Sequence, residues 1–199
     1  MTDFANFTLK QYLDELSSEA SVPGGGSVSA YTGSLAMGLT QMVARISLKR
    51  KKKKDLTVEE NQKDDEKRSM ITKILESVEK VKVDTFQIVD LDPKVYQEVM
   101  DSYSDPTKLE DALNNSFRLQ ADLALLILMA REANAELAHL VSGSIKNDLL
   151  VAAAQYEASY KGAYYTAMIN VKYMKDDANK QKAESAMDEL QKRFDQGKS

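Results

Sequence analysis

The stretch Pro23 to Ala44, "PGGGSVSAYTGSLAMGLTQMVA", decides how this chain folds: a proline and three consecutive glycines run straight into small and apolar residues at helical spacing. Gly24, Gly25 and Gly26 carry no Cβ, so another backbone or an anion can come close to the first-turn N–H groups, where the helix dipole favours negative charge. A plain flexible turn is the alternative, and without "GK[ST]" behind the glycines there is no P-loop. The helix is expected to start at Ser27. Along it Ala30, Ser34 and Gly38 recur every four residues beside Ser29, Gly33 and Met37, a face that lets two helices approach closely or leaves space for a flat ligand.

On either side of this helix the chain reads as helical too. Only three prolines and eight glycines occur, and no alternating β-branched run bounded by turn residues supports a strand. A first helix is expected from Thr8 to Glu19, with Thr8 and Gln11 as a capping box and Tyr12, Leu13 and Leu16 as its apolar stripe. "SSEASVPGGG" breaks it, and "KKKKD" ends the helix that follows. Thr57 and Glu60 form a second capping box, opening a long helix with Met70, Ile74, Val78 and Val81 on one side, which "DLDPK" kinks or restarts at Pro93. Further helices are expected over Thr107–Val141 and Asn147–Met174, then an amphipathic one carrying Met187, Leu190 and Phe194. The expected fold is an all-α, single-domain bundle of about six helices spanning residues 1–199.

Composition narrows the function classes. The 199 residues are 43% apolar, enough for one sizeable core. With no cysteine, disulfides, thiolate zinc sites and cysteine nucleophiles are excluded. "MTDFANFTLK" lacks the order of a signal peptide, and the longest apolar run, Leu123 to Ala130, is far below the ~20 residues a bilayer requires, so a soluble, cytoplasmic protein without a membrane partner is expected. The net charge of −4 argues against nucleic acid as a partner. The run "KRKKKK" at Lys49 to Lys54 does not change that, because it lacks interleaved aromatics and is followed by the acidic "DLTVEENQKDDE".

Four segments together carry a resemblance. "PGGGSVSAYTGSLAMGLTQMVA", the lysine cluster "LKRKKKK", "DPKVYQEVMDSY" at Asp92 to Tyr103 and "NDLLVAAAQYEASYKGAYYTAMINVKYMKD" at Asn147 to Asp176 occur in an order similar to that of the formiminotetrahydrofolate cyclodeaminase and methenyltetrahydrofolate cyclohydrolase family. The resemblance implies a tetrahydrofolate substrate bearing a one-carbon unit, no metal or redox cofactor, and a homodimer. Either the formimino group cyclises with loss of ammonia, which is the reading adopted, or water opens a methenyl bridge. Departures from the family pattern include Lys49, Lys53, Ser142 to Ser144, Asn147 and Thr166. They leave a non-catalytic helical folate-binding or scaffold homologue as a further alternative.

Proton transfer then falls to carboxylates, with His139 as the one histidine, near a helix end where a structural role is more common. Asp92 and Asp148 are the candidate catalytic residues at family-matching positions; an N-cap is the plainer role for each. Gly24, Gly25, Gly26 and Ser27 are candidates for substrate binding, and Asn170 for the pterin edge, against an interhelical hydrogen bond. Arg50, Lys51 and Lys52 are candidates for the glutamate tail of a mono- or polyglutamylated folate, against a solvated helix C-terminus. Tyr156, Tyr160 and Tyr164, four residues apart, make a stripe that suits either a stacking wall or a packed interface. The methionines are read as core filler.

Overall fold

The computed structural model describes residues 3–52 and 57–197. Lys53 and Lys54, part of the lysine run, lie outside the described residues. A short 3-10 turn at Phe4–Asn6 precedes six helices: α1 (Leu9–Leu16), α2 (Gly25–Lys49), α3 (Val58–Asp101), α4 (Pro106–Leu140), α5 (Lys146–Tyr173) and α6 (Asp177–Gln196). Both expected capping boxes form, Thr8 with Gln11 before α1 and Thr57 with Glu60 before α3. Asp105 caps α4 with Pro106 in its first turn, and Asp176 caps α6. α1 stops at Leu16, three residues short of the expected Glu19, as Ser17 and Ser18 turn their hydroxyls back onto the Leu13 and Glu15 carbonyls.

Helices α2 to α5 run up, down, up and down, each packed on its sequence neighbour, and α2 closes the ring against α5. The direction follows from side-chain bonds. Ser27 meets Val89 and Asp92 while Arg68 reaches the Leu48 carbonyl, so α2 and α3 are antiparallel; Gln120 meets Asp92 and Asn134 meets Thr40, so α4 runs with α2. Close packing of α2 depends on small residues. A Cβ on Gly33 would overlap Ile127 of α4 and crowd Ser159 of α5, and one on Gly162 would overlap Ser29. Gly38, expected on the same face, is exposed with open space beside it.

Inside the bundle, the Tyr156 hydroxyl lies 3.0 Å from Thr40 Oγ1, which bonds Asn134 Oδ1 at 2.9 Å, while Asn134 Nδ2 donates to the Leu149 carbonyl. The tyrosine stripe is therefore core rather than a stacking wall: Tyr156 and Tyr160 are fully buried, and Tyr160 stacks on Phe194 of α6 with centroids 4.1 Å apart. α6 lies against α4 and α5, held by a two-pronged Arg193–Glu132 pair at 2.6 and 2.7 Å. Met37, Met174 and Met187 fill the core as expected, but Met42, Met70, Met100 and Met129 are exposed.

Of the two expectations at Pro93, the restart does not occur: α3 continues as one helix from Val58 to Asp101. Proline removes the N–H that would bond the Val89 carbonyl four residues back. Ser27 Oγ of α2 donates to that carbonyl at 2.8 Å, so the acceptor is satisfied from another helix. No helix among the described residues is long and apolar enough to cross a membrane.

Candidate active site

The start of α2 answers what its glycines are for. Gly24, the N-cap, has no side chain to offer, and α2 begins at Gly25, two residues before the expected Ser27. One first-turn N–H group is capped from outside: Ser27 N donates to Asp92 Oδ2 of α3 at 2.9 Å. Gln120 Nε2 of α4 donates to the other oxygen, Oδ1, at 2.8 Å. A Cβ on Gly26 would overlap both Asp92 Oδ1 and Gln120 Nε2, so glycine is what lets this carboxyl and amide reach the helix. Gly25 is roomier, its nearest neighbour being Thr166 Oγ1 of α5 at 3.7 Å.

Asp92 is 7% exposed. Burial raises its pKa above the usual carboxylate value, and the hydrogen bonds from Ser27 and Gln120 oppose that only in part. No ion pair joins it to a cation among the described residues. A carboxyl so placed takes up and gives back a proton more readily near neutrality than an exposed aspartate. Beside it a fixed relay runs from α1. Ser27 Oγ commits its proton to the Val89 carbonyl, so the Tyr12 hydroxyl, 2.9 Å away, donates to Ser27 Oγ. Burial, the main influence, raises the Tyr12 pKa as well. Gln120 and Tyr12 carried no motif in the sequence; both sit on apolar helix faces, where a polar residue is the available signal.

Asn170 lies one turn along α5 from Thr166, on the side facing the start of α2, and is 8% exposed. Its Nδ2 donates to the Thr166 carbonyl at 2.9 Å, a bond within its own helix rather than between helices. Gly24 to Ser27, Asp92 and Asn170 thus gather at one end of the bundle with Gln120, Tyr12 and Thr166.

Asp148, Arg50, Lys51 and Lys52 gather at the other. α2 spans 25 residues, so at 1.5 Å per residue its ends are about 36 Å apart. Asp148 sits half-buried in the first turn of α5, after an N-cap, Ile145, that has no capping side chain. It is neither beside Asp92 nor the N-cap residue. Arg50, Lys51, Lys52, Lys63, Lys67 and Arg68 line an open cavity of about 490 Å³ together with Glu60 and Asp64. Part of that basic character is already engaged. Arg68 bonds Asp64, and its guanidinium also holds the Leu48 and Arg50 carbonyls at the end of α2; Arg50 donates to the Ser142 carbonyl and Lys52 pairs with Asp65. His139 is exposed in the last turn of α4.

With this geometry in place, comparisons give it a context. The family described as Formiminotransferase-cyclodeaminase matches residues 8–189. The formimidoyltransferase-cyclodeaminase of Mus musculus is 25% identical over 194 residues, 92% of this chain and 34% of that protein. That of Gallus gallus is 24% identical over 200 residues, 95% of this chain and 35% of that one. The chain therefore spans about a third of the length of these curated relatives. Its fold is similar to the crystal structure of formiminotetrahydrofolate cyclodeaminase from Thermotoga maritima, with a TM-score of 0.86 at 21% identity, covering 98% of this chain and 93% of that one.

Proposed function

The chain belongs to the formiminotransferase-cyclodeaminase family, and from that premise we propose that it converts 5-formiminotetrahydrofolate to 5,10-methenyltetrahydrofolate and ammonia, with Asp92 moving the proton. The observation that carries the reading is a buried carboxyl held by Ser27 N and Gln120 Nε2 at a glycine-opened helix start. The formimino group enters protonated, as –CH=NH2+; the folate's second nitrogen attacks its carbon, and a C–N bond forms as the Asp92 carboxylate takes the proton from that nitrogen. Asp92 then returns the proton to the formimino nitrogen, the old C–N bond breaks, and ammonia leaves. The proton balance closes on one residue without a further cofactor. Gly24, Gly25 and Asn170 supply backbone and amide groups for the pterin.

The reading includes a homodimer. Arg50, Lys51 and Lys52 are too far from Asp92 along α2 to hold the tail of a folate at the same chain's glycine end, so they are assigned, with Asp148, to the substrate of a second copy packed antiparallel. Leu35, Met42 and Ile46, exposed on α2 around open Gly38, are the surface offered for that packing. Purified protein mixed with 5-formiminotetrahydrofolate is expected to develop methenyl absorbance with stoichiometric ammonia. Loss of absorbance from 5,10-methenyltetrahydrofolate alone would make it a cyclohydrolase, and no change with either substrate would leave a non-catalytic homologue.

A further inference from the structure

Gln120 is fully buried, and one of its two polar atoms has a partner. Nε2 donates to Asp92 Oδ1 at 2.8 Å, whereas Oε1 is buried with no hydrogen bond. A buried carbonyl without a donor is costly, and a leucine or methionine at this position would avoid the cost. A half-turn of the side-chain amide exchanges its two ends and presents Oε1 to Asp92. Two bare acceptors would then face each other unless the carboxyl is protonated, in which case its O–H donates to Oε1.

We propose that Gln120 is a positioning residue that keeps Asp92 hydrogen-bonded in both protonation states, donating from Nε2 to the carboxylate and accepting at Oε1 from the carboxylic acid. The inference rests on Asp92 as the proton carrier of the preceding reading, where one turnover takes it through both states. Only a proton moves, between Asp92 and a substrate nitrogen; the amide turns without making or breaking a covalent bond. Other neighbours do not offer this. Ser27 N, from α2, is a donor only. Tyr12, the titratable group from α1, is committed to Ser27 Oγ, and Thr166 and Asn170 of α5 are uncharged. Asp90, on the same helix as Asp92, accepts instead from Phe4 N and Ala5 N. Burial favours the neutral acid at Asp92 and so narrows the gap between its two forms at neutral pH.

The test is an NMR titration of the substrate-free full chain, following the Asp92 carboxyl carbon and the Gln120 side-chain amide. Both signals are expected to shift with one common midpoint. In Gln120→Met each form of Asp92 loses one hydrogen bond, so its midpoint should move by less than about one pH unit. A Gln120 amide that stays fixed while Asp92 titrates would overturn the proposal, and so would a Gln120→Met midpoint raised well beyond one unit, the mark of a donor lost from the carboxylate alone. The wild-type titration needs no variant to fold and no turnover, so a chain without cyclodeaminase activity would remove the assigned reaction and leave this result standing.

Discussion

At Gly26 one added methyl group overlaps the Asp92 carboxyl and the Gln120 amide, whereas at Gly25 it meets only Thr166 Oγ1 at ordinary contact distance. Both residues are helical, so alanine's propensity favours the substitution by roughly 1 kcal/mol at either. Overpacking reverses the sign at Gly26 alone, at about 1–3 kcal/mol. Urea unfolding is expected to find Gly26→Ala destabilised and Gly25→Ala as stable as the parent or more so; equal stabilities would mean that the Asp92–Gln120 pair yields at no cost. The glycine cluster was legible in the sequence because it is contiguous. Which glycine matters was not, since the groups that approach it come from α3 and α4, and the partner of Asp92 stands 28 positions away.

Helix α3 shows how an element can override its own sequence. The capping boxes at Thr8 and Thr57 were readable because a cap and its partner are three residues apart. The absence of a restart at Pro93 was not, because the donor that replaces its missing N–H is Ser27, 62 positions before the Val89 carbonyl it serves. Ser27→Ala leaves the Val89 carbonyl without that donor and the Tyr12 hydroxyl without its acceptor, and should cost about 1–3 kcal/mol. Pro93→Ala restores a backbone N–H to Val89. The double variant is therefore expected to be more stable than the sum of the two single changes implies, a coupling of about 0.5 kcal/mol or more in a double-mutant cycle. Strict additivity would show that α3 does not need Ser27 to pass its proline.

For the molecule as a whole, helices with short connections made a bundle legible, but neither the up-and-down order of its helices nor which residues share an end of it. Asp92 and Asp148 sit at opposite ends because α3 and α5 both run antiparallel to α2, with Asp92 late in α3 and Asp148 in the first turn of α5, a fact of packing that no local spacing encodes. If the lysine end holds a glutamate tail, polyglutamylated folate should bind more tightly than monoglutamate, and the gain should shrink in high salt as screening shortens from a Debye length of about 8 Å. Lys51→Ala with Lys52→Ala should remove most of that gain and leave the saturated rate nearly unchanged, since tail contacts form in ground and transition states alike. Full retention of the preference would return the run to a solvated helix end. Whether Asp92 moves the proton in cyclodeamination is read from the rate of methenyl formation from saturating 5-formiminotetrahydrofolate in Asp92→Asn, with folding checked by circular dichroism. The rate is expected to fall about a hundredfold or more with the helical fold intact; a folded Asp92→Asn protein turning over at the parent rate would contradict the account.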